Sequence, residues 1–258
     1  MPTLAQSLTI VVLVFLSGLA YWTFRKVRSI ALRLSQVPTR RDLDNLYRQL
    51  EALDTLHRDL GFSRSIPPLR GFAGSPDFLL ALSGYIRKTR PARVLELGSG
   101  ASTLVIARAL QLCGGGRVIS LEHDANYFEE TANLIKEHGL GDFVTVLHAP
   151  LIDYSIKGAR FRWYSLRDLP AIEFEMLSID GPPESTQSMA RYPALPLLAS
   201  RLAASCVVVA DDTNREDETA MLQRWREEFR DFVEQYVPCE KGCVALIRGQ
   251  GNRRLLAA

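Results

Sequence analysis

The stretch RVLELGSGAST at residues 93–103 constrains the fold more than any other part of the chain. A short apolar run, typical of a buried strand, leads directly into a turn with two glycines, Gly98 and Gly100. Glycine lets the backbone turn tightly and approach a ligand closely. A helix that follows such a turn points its free N–H groups at the ligand. We therefore expect a strand–turn–helix unit that forms part of a ligand site.

Strands and helices alternate from residue 76 onward, and this order predicts a mostly parallel sheet. The predicted strands cover 94–97, 117–121, 143–148, 174–179 and 206–210, and the helices cover 76–88, 103–112, 125–138, 188–202 and 217–229. Two last strands, at 232–237 and 243–248, are joined by a short turn and must be antiparallel. The expected fold is α/β: a Rossmann-like, seven-stranded, mostly parallel sheet with one antiparallel strand and helices on both faces. An insertion at 150–170 forms either a small hairpin or an irregular loop.

The N-terminal segment predicts a membrane anchor. Residues 1–24 contain no charged side chain, and residues 4–24 would cover roughly 30 Å as a helix, enough to cross a membrane. Aromatic residues and then Arg25, Lys26 and Arg28 follow the apolar run, which is typical of a membrane boundary and places the N-terminus outside and the rest in the cytoplasm. A buried helix and a cleaved signal peptide are the alternatives.

Residues 39–60 predict a second helix with an apolar seam, formed by Leu43, Leu46, Leu50, Leu53, His57 and Leu60. The seam either joins two chains as a homodimer or packs on the main domain. These patterns divide the chain into a transmembrane anchor at 1–28, a helical linker at 29–68, the main domain at 69–250 and a tail at 251–258. The net charge of +2 argues against a nucleic-acid partner, and the four cysteines are expected to be reduced.

The glycine turn and the second strand predict a nucleotide-type cofactor. The dinucleotide fingerprint G-x-G-x-x-G lacks its third glycine here, because Thr103 stands in that place. Glu122 ends the second strand, where a carboxylate accepts the ribose hydroxyls of an adenosine-type cofactor. These residues alone leave open whether the cofactor is a nicotinamide dinucleotide or S-adenosylmethionine.

The acidic residue before the glycines resembles the first motif of class I methyltransferases. The runs IDGPP, RYPALPLL and VVVADDTNR look like the small-molecule O-methyltransferase branch, and the resemblance covers about residues 70–248. It implies that S-adenosylmethionine is the cofactor and that Asp180, after the fourth strand, faces the methyl acceptor as the catalytic residue, either as a base or as a carboxylate that positions the substrate. The implied cofactor-binding residues are Glu96, Gly98, Ser99, Gly100, Thr103, Glu122, His123 and Asp180.

The same resemblance raises the question of a metal. Catechol-type enzymes of this branch hold Mg²⁺ with an aspartate after strand four and an acidic–amide pair after strand five. Asp180, Asp211 and Asp212 fall on those places, with Asp212 where asparagine is common. Carboxylate oxygens suit Mg²⁺ or another divalent cation. Plain turn and helix-cap roles for these aspartates are the alternative to metal binding.

The expected function is methylation of a hydroxyl on a small or lipid-linked acceptor at the cytoplasmic membrane face. Two other functions are weighed against it. A nicotinamide-dependent oxidoreductase would use the same fold, but the missing third glycine and the strand-end aspartates argue against it. A non-catalytic membrane scaffold would keep the fold and use the 39–60 helix to bind partners.

Overall fold

A computed structural model of the chain describes residues 4–34 and 37–249. The chain forms two compact units, Met1–Tyr47 and Arg48–Ala258. The second unit contains the predicted α/β domain, and the predicted tail at 251–258 lies outside the described residues.

The first helix, α1 (Leu4–Leu34), differs from the predicted anchor. It does not end near residue 24 but continues through Arg25, Lys26 and Arg28, so these cations lie within the helix rather than beyond its end. Within residues 4–34 and 37–249, no helix is both long enough and apolar enough to cross a membrane. The predicted transmembrane helix is therefore not supported, whereas the predicted membrane location stays a prediction.

The second helix, α2 (Arg40–Leu60), is present, but of the predicted seam only Leu60 is fully buried. Its buried side chains are Gln49, Ala52, Leu56 and Leu60. Leu43, Leu46 and Leu50 of the predicted seam are exposed. The difference has a polar cause, since Gln49 exchanges two hydrogen bonds with Asp77, at 2.7 and 3.3 Å, and is buried by them. The end of the helix thus packs on the α/β domain, and the predicted homodimer stays a prediction.

Within the described residues up to 249, nine strands and five further α-helices follow α2. The helices are α3 (Pro76–Thr89), α4 (Ala101–Leu112), α5 (Ala125–Glu137), α6 (Ala194–Leu198) and α7 (Glu216–Glu228). The strands are β1 (Arg93–Leu97), β2 (Arg117–Glu122), β3 (Val144–His148), β4 (Leu151–Ile156), β5 (Ala159–Tyr164), β6 (Phe174–Ile179), β7 (Leu202–Asp211), β8 (Val233–Val237) and β9 (Cys243–Arg248).

The main sheet confirms the predicted architecture. Seven strands follow the order β3-β2-β1-β6-β7-β9-β8, and β9 is antiparallel to both of its neighbours. The strand order reverses at β1, since β2 lies on one side of it and β6 on the other. The carboxyl ends of these three strands therefore surround the crevice in which open α/β sheets bind ligands.

Alternating side chains place the two hydrophobic cores on opposite faces of the sheet. On β1, Val94 faces the core that contains α3 and α4, whereas Leu95 and Leu97 face the core that contains α6 and α7. Because side chains alternate along a strand, a central strand covered on both faces is mostly apolar on both of them. The four cysteines are free thiols, as predicted.

The structure decides between the two alternatives for the insertion at 150–170 and corrects the helix predicted at 188–202. The insertion forms the antiparallel hairpin β4–β5, whose turn residues Lys157 and Gly158 both have positive φ, at 49° and 81°, as a tight hairpin turn requires. The helix predicted at 188–202 is wrong, because only Ala194–Leu198 is α-helical and β7 already begins at Leu202. Proline at 193 disfavours helical backbone at the residue before it, which explains the late helix start.

Candidate functional site

A cavity of about 690 Å³ opens at the carboxyl ends of β1, β2 and β6. Its walls are the glycine turn after β1, the end of β2 with the start of α5, the turn after β6, and residues 67–74 before α3. This is the expected ligand position of an open α/β sheet, and its size falls in the range of cofactor pockets.

The glycine turn packs directly against the turn that follows β6. Gly98 has φ of 91°, a conformation that favours glycine, and Gly100 has φ of 148°. A Cβ on Gly98 would lie 3.4 Å from the backbone of Asp180, and a Cβ on Gly181 would lie 3.3 Å from the Gly98 Cα. Small residues are therefore needed on both turns for the two cavity walls to meet.

The predicted cofactor residues Glu96 and Thr103 lie beneath the glycine turn. Glu96 is fully buried, and its Oε2 accepts a hydrogen bond of 2.5 Å from the Thr103 hydroxyl. The same hydroxyl accepts the Gly100 N–H at 3.0 Å. Burial raises the pKa of Glu96 to about 7, with the Thr103 hydrogen bond opposing the shift. In this arrangement the two side chains hold the turn from below, and neither lines the cavity.

Glu122, at the end of β2, lines the cavity and is only 4% exposed. Its carboxylate accepts hydrogen bonds from the backbone N–H groups of Ser99, His123 and Asp124, at 2.9, 2.8 and 2.9 Å. The Ser99 hydroxyl adds a fourth, at 3.2 Å. Burial disfavours the charge, but these hydrogen bonds outweigh it and lower the pKa of Glu122. The structure thus ties Glu122 to the glycine turn, and a ribose hydroxyl would compete with Ser99 Oγ for the carboxylate.

His123 lines the cavity beside this carboxylate. Its Nδ1 lies 3.0 Å from Glu122 Oε1. Its ring meets the Tyr164 ring edge to face, with the two ring centroids 5.9 Å apart. The predicted cofactor set therefore divides by depth. Gly98, Ser99, Gly100, Glu122, His123 and Asp180 line the cavity, and Glu96 and Thr103 support them.

The three predicted aspartates meet at the ends of β6 and β7. Asp180, Asp211 and Asp212 bring one carboxylate oxygen each within 4.8 Å of one another. Arg191 enters this cluster, with its side chain only 3% exposed. Its Nη2 donates to Asp212 Oδ2 at 2.7 Å and to Asp180 Oδ1 at 3.2 Å. A buried guanidinium thus pairs with two of the three carboxylates.

The pKa values of two aspartates in the cluster are raised. Burial raises the pKa of Asp180 to about 7, and the neighbouring Arg191 opposes the shift. Burial, together with the charges of Asp180 and Asp212, raises the pKa of Asp211 to about 8. Asp211 is fully buried, whereas Asp180 lines the cavity. Asp180 combines a place in the cavity wall with a pKa of about 7, so it can exchange a proton with a bound ligand near neutral pH.

Comparisons with known proteins agree with this geometry. Residues 95–213 match the family model described as a methyltransferase domain, which spans the glycine turn, Glu122 and all three aspartates. Over these residues the chain is similar to methyltransferase domains, and its sheet has the strand order described above. No curated protein matches the sequence.

Three solved structures share the fold at low sequence identity. A methyltransferase of Podospora anserina, PaMTH1, bound to S-adenosylhomocysteine, has a TM-score of 0.58 at 13% identity, over 83% of this chain and 98% of its own. An O-methyltransferase of Bacillus cereus, also bound to S-adenosylhomocysteine, has a TM-score of 0.51 at 16% identity, over 77% of this chain and 91% of its own. A methyltransferase of Geobacter sulfurreducens has a TM-score of 0.51 at 16% identity, over 86% of this chain and 96% of its own.

Two residues at the cavity, Arg191 and Tyr164, were not among the predicted site residues. Arg191 carried a weak signal, since it precedes the Tyr-Pro pair of the RYPALPLL run, but its entry into the aspartate cluster depends on the fold of 181–193. Tyr164, at the end of the hairpin, is fully buried and lines the cavity. A Cβ on Gly181 would lie 2.2 Å from its hydroxyl oxygen. In the sequence, Tyr164 lies in the insertion at 150–170, where no site residue was predicted.

Proposed function

We propose that the protein transfers a methyl group from S-adenosylmethionine to a hydroxyl oxygen of a small or lipid-linked acceptor. The acceptor oxygen attacks the methyl carbon, the carbon–sulfur bond breaks, and sulfur keeps the electron pair to leave S-adenosylhomocysteine. The acceptor loses its proton in the same process, so the site must supply a base.

The observation that supports this proposal most directly is that two carboxyl groups at strand ends, Glu122 and Asp180, line the same cavity. Glu122 closes β2 beside the glycine turn, and Asp180 closes β6 on the opposite wall. The Glu122 side supports binding of the adenosine part of the cofactor, because its carboxylate and the nearby N–H groups can meet ribose hydroxyls. The Asp180 side supports the chemistry, because that carboxyl lines the cavity and has a pKa of about 7.

In this proposal each residue has one task. The glycine turn lets the backbone approach the cofactor, and Glu96 with Thr103 holds that turn from below. Asp180 accepts the acceptor proton as the oxygen attacks. Its carboxylate oxygen Oδ1 accepts a hydrogen bond from Arg191, which orients the base toward the cavity.

Calorimetry on the full-length protein tests the cofactor part. We expect S-adenosylmethionine and S-adenosylhomocysteine to bind and NAD to give no signal. Glu122→Ala is expected to weaken S-adenosylhomocysteine binding by at least about tenfold, because it removes the carboxylate that fixes the turn and meets the ribose. Glu175→Ala is the matched control, since Glu175 pairs with Arg93 at the opposite end of β1.

The same titrations separate the alternatives. Binding of NAD in place of the methionine cofactors would favour an oxidoreductase, and binding of none would favour a scaffold. Either result would overturn the proposal. Transfer of a labelled methyl group to a panel of hydroxylated and lipid-linked compounds would then identify the acceptor.

The location at the cytoplasmic face of a membrane is a separate proposal, supported by the uncharged sequence of residues 1–24. Cell fractionation followed by alkaline extraction tests it. Recovery of the full-length protein in the soluble fraction would contradict it.

A further inference from the structure

The aspartate cluster already contains a cation that belongs to the protein. The Arg191 guanidinium lies among Asp180, Asp212 and Glu218, with its Nε 3.7 Å from Glu218 Oε1. Its two terminal nitrogens also hold the backbone: Nη2 donates to the Asp180 carbonyl at 3.1 Å and Nη1 to the Asp211 carbonyl at 3.0 Å. One side chain therefore ties together the carboxyl ends of β6 and β7.

This arrangement leaves no room for a divalent cation between Asp180 and Asp212. Mg²⁺ requires oxygen ligands at about 2.0–2.1 Å in near-octahedral geometry. The oxygens that would supply them, Asp180 Oδ1 and Asp212 Oδ2, accept hydrogen bonds from the same Arg191 nitrogen. The other oxygen of Asp212 pairs with Arg215 at 3.1 Å. A metal bridging these carboxylates would meet a buried positive charge, so the three aspartates have a suitable donor set but do not fit a metal.

Access to the third carboxylate points the same way. Asp211 is fully buried and does not line the cavity, whereas Asp180, Asp212 and Arg191 do. A cation held mainly by Asp211 would therefore have no open path to water or to a substrate oxygen, which a Mg²⁺ site normally keeps among its ligands.

Resting on the proposed function, we infer that Arg191 is the permanent cation of this cluster and that cofactor binding and methyl transfer require no divalent metal. Arg191 then acts as a positioning residue. It neutralises the carboxylates, fixes the ends of β6 and β7 relative to each other, and orients Asp180 toward the cavity. A guanidinium suits this task because it is planar, always charged and offers five donors in a fixed geometry.

The first test titrates chelator-treated, full-length protein with Mg²⁺ and with Mn²⁺. We expect no binding heat and a change of melting temperature below about 1 °C, because a ligand stabilises a protein only when it binds the folded state. The S-adenosylhomocysteine affinity should be the same within about twofold with and without chelator. Stabilisation of the wild-type protein by either ion, abolished in Asp211→Asn, would overturn the inference.

Substitution of the arginine gives the converse test. Arg191→Met leaves the carboxylates without their counter-ion, and we expect this variant to be stabilised by millimolar Mn²⁺ by at least about 3 °C. Arg191→Lys keeps the charge and is expected to stay indifferent to the ion. Arg224→Met is the control, because Arg224 stacks on the Tyr192 ring outside the cluster. An Arg191→Met variant that binds no Mn²⁺ would contradict the assigned role.

Two outcomes need to be kept apart. If Arg191→Met does not fold, the wild-type ion titration decides alone. If S-adenosylhomocysteine fails to bind with and without added ions, the proposed function fails, while the ion titration still reports whether Arg191 excludes a metal.

Discussion

The contact between Tyr164 and Gly181 offers a quantitative test of how the hairpin supports the site. A Cβ built on Gly181 would lie only 2.2 Å from the Tyr164 hydroxyl oxygen, far inside van der Waals contact. The ring cannot move aside freely, because Tyr164 is fully buried and packs against Trp163 and His123. Overpacking of this kind costs about 1–3 kcal/mol, and we expect Gly181→Ala to lower the free energy of unfolding by that amount.

The same geometry predicts that a second substitution relieves the first. In Tyr164→Phe the clashing oxygen is gone, and the nearest atoms to the new methyl group become the Gly98 Cα and N at 3.3 and 3.4 Å. The Tyr164 hydroxyl has no hydrogen-bond partner among the described residues, so its loss alone should change stability by less than about 1 kcal/mol. We expect a coupling energy of about 1–2 kcal/mol in favour of the double variant.

Denaturant unfolding of the four proteins, at one pH and without ligand, measures this cycle. Gly84→Ala is the matched control, because Gly84 lies inside α3 with no atom within 4 Å of an added Cβ. It should stabilise the protein by about 0.5–1 kcal/mol. Since Gly98 and Gly181 both line the cavity, S-adenosylhomocysteine affinity should fall in Gly181→Ala and recover in the double variant. Additive effects, or an unaffected Gly181→Ala, would refute the reasoning.

Two further predictions concern protons in the aspartate cluster. Because the pKa of Asp180 is about 7, kcat should rise with pH through neutrality as this base ionises; Asp180→Asn should lower kcat by about 100-fold or more and remove the rise, and a normal kcat would exclude Asp180 as the base. The pKa of Asp211 is about 8 in the folded protein and near 4 when unfolded, so the folded state holds a proton that the unfolded chain releases. Its contribution to stability therefore declines from about pH 4 to pH 8, by up to about 1.4 kcal/mol per pH unit, and Asp211→Asn should show a flatter dependence in unfolding experiments at pH 5.5 and 7.5. An unchanged slope would contradict the assigned pKa.

The sequence predicts the edge of the sheet at which the site forms because that edge depends only on local patterns. Alternating strands and helices specify a parallel sheet, and in such a sheet the carboxyl ends of the strands meet at one edge. Residues placed directly after strands, such as Glu122, Asp180 and Asp211, are then brought together whatever the details of packing. The glycine turn follows the same logic, since its conformation is a property of its own residues.

Contacts made by side chains far apart in the sequence are not predictable in this way. The seam proposed for α2 meets the buried face only at Leu60, and Gln49, which the seam does not include, is buried and hydrogen-bonded to Asp77. Glu96 matches the cofactor motif, yet it points beneath the turn because Thr103 meets it there. A polar residue that follows a motif can contact the ligand or support the residue that does, and its spacing alone cannot distinguish the two roles.

The identity of the cation that neutralises the three aspartates also depends on a contact between residues far apart in the sequence. From the sequence, three aspartates at two strand ends suggest a metal, because their carboxylate oxygens suit a divalent cation. The counter-ion comes from Arg191, which stands after two prolines in a segment predicted as helix and observed as turns. Had the predicted helix formed from residue 188, its regular backbone would have replaced the turns that now carry Arg191 to both Asp180 and Asp212. The departure from helical structure and the guanidinium in the cluster are therefore linked, and the choice between a metal and an arginine depends on the conformation of residues 181–193.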